Sequence, residues 1–251
     1  MKHYIFIFAL TLISWGNQER KVIVLDIKTQ SKNETCWIGN LNGKIPIFIH
    51  YQVNDNLIIG EITYLNTKNK IPIRLLGTIE EDKNYRLLEF DNIGNITGVI
   101  IGKPIEKIFK GNWISPKTKK ELVMALSLKD TLIASQDIKP DKSKIFGNYH
   151  YQYGESGYNG DFDVNKVGNN KIDFHILSLT NAERGPNIAE VEKDTIAMTD
   201  NSFVYKIPDS DNCEFKVTFY NGFVYINYTK GYCDSQFGLG ATIDGIYVKT
   251  K

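Results

Sequence analysis

At 251 residues the chain is long enough for one large hydrophobic core or two modest ones, and its 42% apolar and 24% charged residues exclude a disordered chain. A formal net charge of +1 gives no overall case for a nucleic-acid or membrane-surface partner. The charge is uneven, however: Asn17 to Lys144 carries twenty Lys and Arg against fifteen Asp and Glu, whereas Ile145 to Lys251 carries nine against fourteen.

The first sixteen residues have the plan of a signal peptide. Lys2 supplies a positive start, Tyr4 to Ile13 an apolar run, and Ser14-Trp15-Gly16 small residues before a cut. A membrane span needs roughly 20 apolar residues, about twice this run. The expected mature protein starts near Asn17 and is periplasmic or secreted, without a membrane span.

Beyond it, alternation with period two dominates. Ile45, Ile47, Ile49 and Tyr51 share one face, as do Ile71, Ile73 and Leu75, and then Leu122, Met124, Leu126 and Leu128. Segment 131–144 loses the alternation and contains Pro140, so it is read as a linker between domains at 20–130 and 145–251. In the second half Phe162 and Val164 alternate with polar residues, as do Ile172, Phe174 and Ile176. The pattern is that of antiparallel sheets with one wet face. Turn clusters such as Asn54-Asp55-Asn56, Asp91 to Asn95 and Gly168-Asn169-Asn170 separate the runs. The expected fold class is all-β: two successive antiparallel meander or barrel-like domains.

Gly111-Asn112-Trp113, Gly147-Asn148-Tyr149 and Gly245-Ile246-Tyr247 repeat a Gly-x-aromatic signature. Its presence at both ends of the second domain predicts that the first and last strands there are neighbours and close it. Asn221-Gly222 predicts a two-residue type I′ hairpin. That register sets Tyr220 opposite Phe223, Phe219 opposite Val224, Val217 opposite Ile226, Phe215 opposite Tyr228, and Cys213 opposite Lys230. Cys233 lies a short loop beyond, so a Cys213–Cys233 disulfide is expected, with Cys36 a buried thiol.

Ile59-Gly60-Glu61-Ile62-Thr63-Tyr64, Ile73–Gly77, Leu88-Glu89-Phe90-Asp91 and Gly111-Asn112-Trp113 resemble a β-meander domain of exported proteins of Gram-negative bacteria. Cys213–Phe219, Cys233-Asp234-Ser235-Gln236-Phe237-Gly238 and Gly245-Ile246-Tyr247 are similar to C-terminal domains of the same uncharacterised, two-domain proteins. The resemblance implies fold and location, and no activity comes with it.

No catalytic, metal or cofactor motif is expected. Gly154-Glu155-Ser156-Gly157 lacks the final glycine of a nucleophile elbow and sits between strands, so it reads as a hairpin turn. Asp173 and His175 form a weak polar pair on one strand face, with exposed, structural roles as the plainer reading. Tyr149, Tyr151 and Tyr153 share a face and Tyr158 follows; the row is either barrel core or a surface for a sugar or protein. The expected function is a non-catalytic exported binding protein, an inhibitor or envelope accessory factor with a protein or glycan partner outside the cytoplasm. Opposite charge on the halves adds weak head-to-tail self-association. The alternatives are a barrel carrier of a small apolar ligand and an envelope hydrolase whose site assembles from distant strands. A flat aromatic patch would mark the binder, an apolar internal cavity the carrier, and a polar pocket with two close carboxylates the hydrolase.

Overall fold

Consecutive strands pair antiparallel from β1 (Thr35–Leu41) through β2 (Ile45–Asn54), β3 (Leu57–Tyr64), β4 (Ile73–Ile79), β5 (Tyr85–Phe90), β6 (Asn95–Ile105), β7 (Ile108–Ile114) and β8 (Glu121–Leu128). β8 pairs back with β1, closing an eight-stranded up-and-down barrel. These contacts come from a computed structural model that describes residues 33–180, 185–210, 212–231, 233 and 236–250. The predicted signal peptide and its cleavage point lie outside the described residues.

The barrel interior follows from period-two alternation. Ile47, Ile49, Tyr51, Leu122, Met124 and Leu126 point inward, as the sequence pattern requires, and pack with Trp37 and Phe109. Trp37–Phe109 and Tyr85–Phe109 ring centroids are each 5.8 Å apart, edge to face. Side chains fill this interior. Ile71, expected to share the face of Ile73 and Leu75, instead lies in the turn before β4 and is 66% exposed.

The remaining strands are β9 (Gly147–Tyr153), β10 (Asn159–Lys166), β11 (Lys171–Thr180), β12 (Asn187–Ala197), β13 (Ser202–Lys206), β14 (Glu214–Tyr220), β15 (Phe223–Lys230) and β16 (Gly245–Lys249). β9 to β12 pair in sequence, as do β13 to β16. β16 returns to β9, so the first and last strands of this half are neighbours. Closure stops short of a full barrel, because β12 and β13 form no ladder. The side chains of the two strands meet instead: the Tyr205 hydroxyl donates to Asp194 at 2.6 Å.

The β14–β15 register matches the predicted apolar pairs, with Phe215, Val217 and Phe219 buried on one face. Two details differ. A bulge between Glu214 and Phe215 sets Glu214, not Cys213, opposite Lys230, where the two side chains form an ion pair at 3.3 Å. Only Gly222 in the turn has positive φ, at 80°, so the turn is not type I′. The Asn221 N–H donates to the Ile138 carbonyl at 3.1 Å, and positive φ at the second turn residue alone is the pattern of a type II turn. Cys213 and Cys233 are disulfide-bonded with Cα atoms 4.5 Å apart, and Cys36 is a buried free thiol.

The described residues form one unit of contacts. A short parallel pairing of β6 with β9, Asn95 with Gln152 and Ile96 with Tyr153, joins the two sets of strands into one continuous sheet path. The outward faces of β3 to β6 contribute Leu57, Leu76, Leu88, Phe90, Ile96 and Val99 to the same core as Tyr149, Phe162, Phe219 and Tyr247. Segment 131–144 packs rather than hanging free: Ile138 is buried, and Gln52 Nε2 donates to the Gln136 carbonyl at 3.0 Å.

Candidate functional site

Where the barrel's outer wall meets β9 to β16, a cleft of about 780 Å³ opens. Pockets that hold small ligands run to roughly 300–1,000 Å³ and favour junctions of this kind. Thr78, Arg86, Ile101 and Ile114 line it on the barrel side, above the buried Leu88 and Val99. Their placement follows from register, since Thr78 opposes Arg86 across β4–β5 and Arg86 opposes Ile101 across β5–β6. Tyr151, Tyr153, Tyr158, Tyr225, Thr242 and Asp244 line the other side.

A tight turn delivers the tyrosines. Tyr153 N–H donates to the Tyr158 carbonyl at 2.8 Å, and Gly157 N–H to the Tyr153 carbonyl at 3.0 Å. A Cβ on Gly157 would come within 2.1 Å of that carbonyl oxygen, so the turn requires glycine. Gly154-Glu155-Ser156-Gly157 is thus a hairpin turn, and Lys117 reaches across from the barrel to pair with Glu155.

The four tyrosines, read from the sequence as either barrel core or a binding surface, divide along the row. Tyr149 is core, its hydroxyl donating to the Ile145 carbonyl at 2.7 Å. Tyr151 is buried at the cleft wall, its hydroxyl 2.8 Å from Ser178 Oγ, and desolvation pushes its pKa up. Tyr153 is half-buried, and Tyr158 is 48% exposed at the rim. Ring contacts run outward from Tyr247 to Tyr151 at 4.8 Å, to Tyr153 at 6.0 Å and to Tyr158 at 6.4 Å. A row that begins as core therefore ends as cleft.

Asp173 and His175 do not act together. The Asp173 carboxylate pairs with Lys193 at 2.6 Å, which holds its pKa below the ordinary range. His175 Nε2 lies 2.9 Å from Glu190 Oε1. Each closes a cross-strand contact to β12.

Two polar clusters were not singled out from the sequence. On the barrel's outer wall at β2 and β3, His50 Nδ1 bonds the Glu34 carboxylate, and its Nε2 lies 3.4 Å from Glu61. Cys36 opposes His50 across β1–β2, so thiol, imidazole and carboxylates share one face. The thiol turns away: its Sγ meets the Thr131 carbonyl at 3.4 Å and the Glu34 carbonyl at 3.8 Å. Burial, with Glu34 adding to it, raises its pKa, which disfavours the thiolate a nucleophile needs. The adjoining cavity is only about 120 Å³.

The second cluster surrounds Glu89 at one end of the barrel. Tyr64 OH and Trp113 Nε1 both donate to Glu89 Oε1, at 2.8 and 2.7 Å. Desolvation outweighs these bonds and raises the Glu89 pKa. Period two puts Glu89 on the face of Tyr85 and Leu87, but with Leu88 and Phe90 on the other face the sequence does not say which of the two is inside.

Among the described residues no group of three or more His, Cys, Asp and Glu is disposed to hold a metal ion, and no helix is long and apolar enough to cross a membrane. No protein-family model, curated protein or solved structure matches the chain.

Proposed function

We propose that the chain is an exported, non-catalytic binding protein, built as two eight-stranded meanders on either side of segment 131–144, and that its ligand occupies the cleft between them. The observation that carries this reading is the cleft itself: about 780 Å³, walled from both sides, with tyrosines leading from core to rim. Such a concave site favours a small molecule or a short glycan over a flat protein surface. Tyr153 and Tyr158 provide large rings that lose little entropy on ordering. The disulfide is consistent with an oxidising compartment outside the cytoplasm.

The carrier reading fits less well, because Trp37, Phe109 and Tyr51 occupy the barrel interior where its ligand would sit. A hydrolase needs a nucleophile or paired carboxylates free to act in an open site, and the two carboxylates that line the cleft, Glu80 and Asp244, each accept from a threonine hydroxyl of their own segment. Cys36 is buried with its thiol on backbone carbonyls, and Glu89 is bound by Tyr64 and Trp113.

Native mass spectrometry of the full chain after incubation with envelope extract tests the proposal. A bound small-molecule mass is expected on the wild type and absent from Ile101→Trp, which fills the cleft from its exposed floor. A bound mass retained by that variant, or none on the wild type, would count against the cleft as the binding site.

A further inference from the structure

We propose that the cleft binds a small amphipathic acid, one carboxylate on an apolar body, and that Arg86 is the residue that anchors the carboxylate. The inference rests on the reading of the cleft as the ligand site and adds its chemistry.

Arg86 stands on the cleft floor between Thr78 and Ile101. A guanidinium offers five N–H donors in a planar fork. Among the described residues the Arg86 guanidinium makes one hydrogen bond, to the Tyr153 hydroxyl at 3.3 Å. No carboxylate of the described residues comes within the 4.0 Å of an ion pair. The two nearby acids are turned to hydroxyls of their own segments. Glu80 accepts from Thr78 Oγ1 at 2.6 Å, and Asp244 accepts from Thr242.

The chain's other described arginine, Arg74, likewise donates one side-chain hydrogen bond, to the Gly222 carbonyl at 2.9 Å, but it lines a cavity of only about 120 Å³. Arg86 has donors left over, and they face an open cleft. A fork of this geometry matches a carboxylate with two parallel bonds, which an ammonium or a hydroxyl ligand does not exploit.

The rest of the lining selects the ligand's body. Ile101, next to Arg86, is 40% exposed although it sits in a concavity, and Ile114 and Ile246 extend the aliphatic wall. Covering such a surface favours binding in proportion to the apolar area removed from water. Glu80 and Asp244 also line the cleft and act electrostatically on Arg86, so a second negative charge on the ligand would meet repulsion.

Isothermal titration of the full chain with decanoate, decanol and decyltrimethylammonium tests this. Decanoate should bind saturably and at least about tenfold tighter than either of the others, with the preference shrinking as salt is raised. Arg86→Gln should bring the acid-to-alcohol ratio to about one while leaving decanol affinity unchanged, since the apolar wall remains. Arg86→Lys should retain part of the preference. Retained decanol binding reports that each variant is folded with its cleft intact. Equal affinity of the wild type for acid and alcohol, an unaltered ratio in Arg86→Gln, or no saturable decanoate binding would each overturn the proposal. If Ile101→Trp still removes an extract-derived ligand in any of those cases, the cleft stands as the site and only the acid is wrong. If neither probe nor extract ligand depends on Ile101, the cleft reading itself fails.

Discussion

Glu89 faces the barrel interior with both of its strong hydrogen bonds converging on one oxygen, Oε1. Its folded-state pKa is raised, chiefly by desolvation, so the native state holds this proton more tightly than the unfolded chain does. The contribution is therefore most favourable below the unfolded-state value and is lost as pH rises through the folded one. Each unit of displacement corresponds to about 1.4 kcal/mol. Glu89→Gln keeps an acceptor for Tyr64 and Trp113 but removes the buried charge. Relative to wild type it should gain on the order of 1 kcal/mol at about pH 8 and lose that advantage near pH 4. Urea denaturation at several pH values measures this; a wild-type-to-variant difference that is flat with pH would show that Glu89 does not hold its proton in the fold. At this scale the sequence was only partly legible. Cys36 reads as buried because free cysteine usually is, and it is. The His50 and Arg86 environments depend on which strands meet across the molecule, which no local spacing encodes.

Elements were the most legible level, because a strand with one wet face prints its own pattern. β8, β10 and β11 alternate in sequence as they do in burial, whereas β2 is buried on both faces from Ile49 to Gln52. The hairpin β14–β15 gave its apolar register from Asn221-Gly222, and the pairing of β9 with β16 followed from matching Gly-x-aromatic ends. What escaped was the bulge at Glu214, since an extra residue leaves no mark when Glu214 and Lys230 can pair across it. The Cys213–Cys233 bond sits just beyond that bulge and encloses a separation of 20 residues. Replacing both cysteines with serine should cost on the order of 3 kcal/mol by the chain-entropy argument. Thermal unfolding with and without reductant checks it: reduction should lower the wild-type midpoint toward that of the double variant and leave the variant where it was. A wild type indifferent to reductant would mean the bond contributes little.

At the scale of the whole molecule, the consecutive apolar residues Leu75-Leu76, Leu87-Leu88 and Val99-Ile100 carry the information that alternation hides. One of each pair, Leu75, Leu87 and Ile100, fills the barrel; their neighbours Leu76, Leu88 and Val99 belong to the core shared with β9 to β16. Strands with two dry faces lose the wet-face alternation, so β4, β5 and β6 mark where the halves meet. This bears on the opposite charges of the halves, which by themselves favour docking that loosens with salt or head-to-tail association between molecules. Exposed ion pairs contribute roughly 0–1 kcal/mol each and are screened beyond about 8–10 Å. Each fully buried Leu, Ile, Val or Phe contributes about 1.5–3 kcal/mol, and six such barrel residues lie in the shared core. The apolar term is the larger by this comparison, and raised salt does not weaken it. The radius of gyration from small-angle scattering should therefore stay constant from low to high salt, and denaturation should proceed in one transition common to both halves. Leu88→Lys, which places a charge in that core, should separate the transition into two or expand the particle. An expansion of the wild type on adding salt would instead assign the arrangement of the halves to their charge.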